Sequence, residues 1–300
     1  MDLKQLEYFL RVAELGGFTR AARALGVAQP VLSRQVRQLE VELGQNLLER
    51  NGRGVTATQA GLLMMQHCRG ILRQVERAHE DVDRIRGGAF GRVVLGVPPT
   101  PSRVLAVPIA RQFRAVLPKA SLSISEQLSH VLAQWLLAGQ IDLALLYDPP
   151  PTPGITLSPL TSDPLYLIGT DRLRIPRRPL TLDTLPDYPL VIPTRPHTIR
   201  TLLETQMALI GCRPTIRLEV DGVPAILDLV ADGVGYAVLS RTAVHTAAHP
   251  DAYRTQRIIK PNLSSHLYLA TATNRTVTVA QRTTIDIIRT ITRRGGKSHN

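Results

Sequence analysis

The sequence predicts an α/β protein in three parts, and three observations carry that reading. Two short helical patterns flank a glycine turn near the N-terminus, a long heptad pattern follows, and strand-like and helix-like segments then alternate through most of the 300 residues. Length by itself favours more than one domain. Hydrophobic residues make up 44% and charged residues 20% of the chain, ordinary for a globular protein. Aromatic residues are only 4%, so Leu, Val, Ile and Ala must fill the cores.

Composition excludes several classes. No apolar run approaches the ~20 residues of a membrane span, and the opening MDLKQLEYFL lacks a signal-peptide layout. A cytoplasmic, nucleoid-associated location without a membrane partner is therefore expected. Cys68 and Cys212 lie far apart in dissimilar surroundings, which suggests neither a disulfide framework nor a zinc site. A net charge of +12 suggests an acidic partner such as nucleic acid. Residues 1–88 hold only 13 Lys and Arg against 10 Asp and Glu, so most of the excess lies downstream and position must decide.

At the N-terminus, Leu3, Leu6, Phe9, Leu10 and Ala13 recur at helical spacing until Gly16-Gly17. Phe18, Ala21, Ala22 and Leu25 repeat the pattern over a shorter helix closed by Gly26. A third helix opens near Pro30, whose missing N–H costs nothing in a first turn. Leu32, Val36, Leu39 and Leu43 form its buried seam, and Gly44 suits a C-cap. With Leu32 set at 0°, the seam spans about 340° to 40°, while Pro30, Ser33, Arg34, Arg37 and Gln38 span roughly 100° to 240°. Gln29 precedes them at the exposed N-terminus. Helix, tight turn and helix make a helix-turn-helix, whose second helix fits a DNA major groove. Arg reads guanine edges and Gln reads adenine there. Residues 47–58, LLERNGRGVTAT, read as a hairpin with Asn51-Gly52 and Gly54 at its tip, flanked by Arg50 and Arg53. A basic hairpin beside a recognition helix is a wing placed for phosphates or a minor groove.

Gln29-Pro30, Ser33, Leu39-Glu40, Leu43-Gly44, Leu48, Arg50 and Thr58-Gln59-Ala60-Gly61 together resemble the N-terminal signature of LysR-type transcriptional regulators. The family often has Ser where this chain has Ala28, and Phe where it has Leu48. Ala28 removes a capping hydroxyl worth ~1 kcal/mol, so Gln29 or the backbone must substitute. The resemblance implies that Gln29, Pro30, Ser33, Arg34 and Arg37 face DNA in the groove. It puts Arg50 and Arg53 on the backbone or minor groove.

From Thr58 to about residue 86, Met64, Cys68, Ile71, Val75, Ala78, Val82 and Ile85 alternate in steps of four and three, a coiled-coil seam. The resemblance implies that this helix pairs two subunits, setting two recognition helices about one DNA turn apart over an inverted repeat. Cys68 reads as packing within the seam.

Gly87-Gly88 and Gly91 mark a hinge. Strand-like segments follow at 92–97, 121–126, 142–147, 165–169, 190–193 and 236–240, with helical runs at 101–117, 128–138, 197–210 and 223–232. That alternation predicts largely parallel sheets. Two clusters, near 91–160 and 163–265, predict two lobes with a cleft. A last helix is expected over 277–292, with 294–300 as a disordered tail. LLAGQIDLALLY and LVADGVGYAVLS resemble LysR-type sensor domains, which are similar to periplasmic solute-binding proteins. GQIDLALLYD and DPLYLIGT resemble the nitrogen-assimilation-control branch. Ligands of open α/β sheets bind beyond the strands' carboxyl ends. That places Thr100 and Ser102 at one helix N-terminus, and Thr194 and His197 at another beside Arg195 and Arg200. Ser129, Tyr147 and Val223 complete the candidate effector site. Two helix N-termini with nearby arginines favour a small anionic effector.

No phosphate-binding loop, nucleophile elbow or zinc spacing is present, so no catalytic residues, metal or cofactor are expected. The expected function is a LysR-type regulator with a winged helix-turn-helix at 1–58, a dimerising helix at 59–87 and an effector-sensing domain at 91–293. The resemblance further implies operator DNA, a tetramer and RNA polymerase as partners. The competing reading is a small-molecule binding protein whose N-terminal module serves only oligomerisation.

Overall fold

The computed structural model describes residues 1–52, 54–85, 91–173, 175–176 and 178–296. The chain divides into two compact units, the second beginning at Gly91.

The first unit opens with α1 (Leu3–Leu15), α2 (Phe18–Leu25) and α3 (Gln29–Leu43). A hairpin of β1 (Leu48–Asn51) and β2 (Gly54–Ala57) follows, then α4 (Gln59–Ile85). α1 starts on a capping box: Gln5 N–H donates to the Asp2 carboxylate at 2.8 Å, and Asp2 N–H donates to the Gln5 side chain at 3.0 Å. Leu6, Phe9, Leu10 and Val12 of α1 meet Ala21 and Ala22 of α2 and Leu32, Val36 and Leu39 of α3 in one core. Leu3 and Leu43, expected in that core, are 44% and 39% exposed. Leu43 lies in the last turn, where α3 has passed its packing neighbours, and Gly44 caps it in the left-handed conformation. No side chain caps the start of α3; the Ala28 carbonyl instead accepts Val31 and Leu32 N–H groups at 3.0 and 3.2 Å.

The start of α4 corrects the expected seam. Met64 and Cys68 pack into the core of α1–α3, joined there by Met65 and Leu72. Cys68 is 0% exposed, and burial pushes its thiol up to about 11. Only the later positions face outward, Ile71 at 37% and Val82 at 56% exposed. The side chain of Ile85 and the hinge glycines Gly87-Gly88 lie outside the described residues.

In the second unit, β3 (Arg92–Val97), α5 (Pro99–Val116), β4 (Ser121–Glu126), α6 (Ser129–Ala138) and β5 (Leu143–Tyr147) build the start of one lobe. A 15-residue strand, β6 (Ile155–Gly169), then leads into the other. There follow β7 (Leu180–Thr181), β8 (Leu190–Ile192), α7 (Thr198–Leu209), β9 (Ile216–Glu219), α8 (Val223–Ala231), β10 (Ala237–Ser240), α9 (Arg241–His245) and β11 (Arg254–Ile259). β12 (Ser264–Ala272) and α10 (Val279–Gly296) return to the first lobe.

The main sheet runs β4-β3-β5-β12-β6-β11-β7, with β10 also on β6. β3 pairs parallel with β4 and β5, but β12 is antiparallel to both β5 and β6, and β10 and β11 are antiparallel to β6. The sheet is mixed, not largely parallel as expected. β11, β12 and the first part of β6 were not expected as strands; β6 carries Pro159 and Pro164, residues that argue against a central strand. The same strands correct the lobe boundaries, since β12 and α10 come after the segment expected to end the second lobe. α10 also continues through Gly296, so residues 294–296 are helical; 297–300 lie outside the described residues.

β3 and β5 are apolar on both faces, as strands covered on both sides must be. Val93, Leu95, Leu143 and Leu145 face α5 and α10. Val94, Ala144 and Leu146 face Leu132 and Leu136 of α6. Buried Asp142 ties α10 to the sheet, accepting from Val94 N–H at 2.7 Å and from the Gln281 amide at 3.0 Å.

Candidate nucleic-acid interface and inter-lobe cavity

α3 presents its polar arc outward. Gln29, Pro30, Arg34 and Arg37 are exposed and Ser33 is half-buried. Among the described residues, Arg34 makes no hydrogen bond or ion pair. Arg37 leans toward Asn46 at 3.4 Å and Glu40 at 3.6 Å. Arg50 lies over the Phe18 ring, 5.6 Å from its centroid, a cation–π position that holds the wing's base against α2. Arg53 lies outside the described residues. Val31, not singled out in the sequence, is 50% exposed in the first turn of α3, beside the polar arc.

Several signature residues hold this surface in shape. Glu40 accepts the N–H groups of Leu47 and Leu48 at 2.9 and 3.1 Å, locking the end of the recognition helix to the wing. The Thr58 hydroxyl donates to the Asn46 carbonyl at 2.7 Å and accepts Gly61 N–H at 3.0 Å, starting α4. A Cβ on Gly61 would sit 2.0 Å from the Leu47 carbonyl oxygen, so nothing larger than glycine fits.

Between the lobes lies a cavity of about 270 Å³, its open mouth included. Its polar lining is Thr100, Tyr147, Ser240 and Ser265. Leu165, Ile199, Leu239 and Ala243 supply the apolar walls. Of the expected effector residues, Thr100 and Tyr147 line it. Ser129 instead accepts Tyr147 N–H at 3.0 Å from beneath, and Thr194 donates to the Asp221 carboxylate. His197 caps α7, its Nδ1 accepting Ile199 N–H at 3.3 Å. Burial lowers the pKa of that imidazole, against the opposing charge of Asp221. Val223 begins α8 and packs against the core, and Ser102 lies in the second turn of α5; neither lines the cavity.

The arginines expected to favour an anion are engaged elsewhere. Arg195 pairs with Glu204 at 2.9 Å, and buried Arg200 pairs with Glu204 at 2.9 Å and Glu219 at 2.8 Å. The α5 terminus is also poor in donors. Its N-cap and first and third positions are Pro98, Pro99 and Pro101, which carry no N–H, leaving Thr100 as the single free donor of the first four. The α5 end thus lacks the array of N–H groups that an anion site uses, and the arginines beside α7 are held in ion pairs. Ser240 and Ser265 were missed because they come from distant elements, Ser265 from a strand not legible locally.

Among the described residues, no helix is long and apolar enough to cross a membrane, and no group of three or more His, Cys, Asp or Glu could hold a metal ion.

A winged helix-turn-helix with an outward polar recognition helix, on a chain that also carries a two-lobed α/β domain with a cleft between its lobes, defines a DNA-binding transcriptional regulator. Residues 3–62 match the bacterial regulatory helix-turn-helix protein, lysR family, and residues 86–292 match the LysR substrate binding domain. The chain belongs to the LysR family of transcriptional regulators. The nitrogen assimilation regulatory protein nac of Klebsiella aerogenes is 33% identical over 90% of this chain and 88% of its own. Its namesake in Escherichia coli (strain K12) is 31% identical over the same shares. The crystal structure of CbnR, a LysR family transcriptional regulator, has a TM-score of 0.70 at 24% identity, over 97% of this chain and 99% of that one. Full-length CbnR in complex with its target DNA has a TM-score of 0.57 at 25% identity, over 97% of this chain and 100% of that one.

Proposed function

We propose that this regulator binds an inverted-repeat operator as a dimer or tetramer, and that a small effector in the inter-lobe cavity adjusts that binding. The observation that carries the reading is the outward face of α3, where Gln29, Ser33 and Arg34 stand without internal partners among the described residues. α3 enters the major groove; Arg34 reads a base edge, and Val31 lies where it meets a thymine methyl. Arg50 and Arg53 reach phosphates or the minor groove. Dimerisation uses the outward stripe of Ile71, Val75, Ala78 and Val82 on α4, an apolar face turned away from the unit's own core. Paired α4 helices set two α3 helices about one DNA turn apart. Effector closure of the two lobes then changes how the DNA modules are placed.

Genomic fragments selected by the purified protein at near-physiological salt test this reading, with Arg34→Ala as control. Enrichment of an inverted repeat that the control loses is the expected result. Recovery of the same fragments by both proteins would remove Arg34 from base readout. Ile71→Asp with Val82→Asp should shift the sedimenting species to a monomer; an unchanged oligomer would place the interface elsewhere.

A further inference from the structure

We infer that the inter-lobe cavity takes a small nitrogenous cation, an amine or amidine, in preference to a carboxylate. This rests on the reading of that cavity as the effector site. A hydroxyl has one proton to give. Tyr147 gives its proton to Asp163 at 3.1 Å, and Ser265 gives its proton to Asp148 at 2.6 Å. Burial and the neighbouring carboxylates raise the Tyr147 pKa well above the ordinary phenol value, so that proton stays in place. Toward the cavity both oxygens therefore present lone pairs only. Thr100 and Ser240 are rotors that turn to suit either partner, and Ser240 already accepts Ala243 N–H at 3.4 Å.

Among the described residues, no Lys, Arg or His lines the cavity. The carboxylates of Asp148 and Asp163 stand directly behind two of its four polar groups, with His266 bound to Asp148 at 3.0 Å on its half-exposed side. Prolines 98, 99 and 101 leave the adjoining end of α5 with a single free N–H, that of Thr100, short of the array a carboxylate uses. Acceptors in front and negative charge behind, with no cation among the described lining residues, favour a ligand that donates and carries positive charge.

Acetamidinium, acetamide and acetate share one shape and differ in charge and donors. Each is titrated into the full chain at one fixed pH and constant ionic strength, following the backbone amide resonances of Tyr147 and Ser265. The expected order is acetamidinium, then acetamide, then acetate, with at least tenfold between the first and last. Ser265→Ala should weaken acetamidinium severalfold. Pro99→Ser with Pro101→Ala, which returns two N–H groups to α5, should strengthen acetate severalfold and leave acetamidinium unchanged. Acetate binding as tightly as acetamidinium, with saturable shifts at these two residues, would overturn the ligand class and leave the cavity as the effector site. Absence of saturable shifts there for all three probes would overturn the cavity reading itself.

Discussion

The recognition helix and the inter-lobe cavity are made of the same kinds of side chain held in opposite states. On α3, Gln29, Ser33 and Arg34 point outward without internal partners among the described residues. At the cavity, Tyr147 and Ser265 bond to Asp163 and Asp148; elsewhere in the second unit, Thr194 bonds to Asp221 and Arg200 to two glutamates. A surface that must read a partner keeps its polar groups available. A buried site must satisfy its groups internally, because an orphaned buried polar atom costs about 1–3 kcal/mol. Residue type alone therefore says little about role; the state of its hydrogen bonds says more.

Arginine gives the sharpest test of that contrast. Arg200→Ala should destabilise the second unit by about 3 kcal/mol, since it leaves Glu219 and the buried Pro193 carbonyl without their guanidinium. Chemical denaturation measures it, and a loss below about 1 kcal/mol would mean that water replaces the network freely. Arg34→Ala should do the reverse. Stability should stay within about 0.5 kcal/mol, while specific operator binding falls by about 1–3 kcal/mol, more than binding to random DNA. Equal losses on both DNAs would make Arg34 a phosphate contact.

Threonine gives a smaller version. Thr58→Ala removes the cap of α4 and its bond to the Asn46 carbonyl, and should cost about 1 kcal/mol in the first unit. No change in the unfolding midpoint would show that backbone or water replaces the cap.

The smallest effect is one of pH. Burial lowers the pKa of His197 below its ordinary 6.5, and protonation would also remove the Nδ1 lone pair that caps α7. A depressed folded-state pKa contributes fully above the unfolded value and is lost as pH falls through and below it. The melting temperature of the second unit should therefore fall from about pH 7 to pH 5, and less steeply in His197→Asn, which keeps a capping acceptor. Parallel pH profiles for the two proteins would assign the acid sensitivity to other groups.

What could be read locally follows from how each element is built. α1–α3 were legible because helical periodicity and glycine stops act within a few residues. The exposed arc of α3 could be projected from its own sequence for the same reason. β12 and most of β6 were not legible, since their pairing joins Ser264–Ala272 to Ile155–Pro164 and two prolines mask the strand pattern. Met64 and Cys68 fit a heptad seam by spacing, yet their side of α4 is covered by α1–α3. Spacing describes a stripe but not its partner.

By itself, then, the sequence determined the winged helix-turn-helix, the long helix, the alternating α/β segments and the exposed polar arc of α3. All of these depend on interactions a few residues apart. The tertiary structure decided which apolar stripe of α4 is buried, how the two lobes interleave, and which hydroxyls meet in the cavity. It also decided the character of that cavity, because where Tyr147 and Ser265 send their protons depends on side chains that only folding brings together.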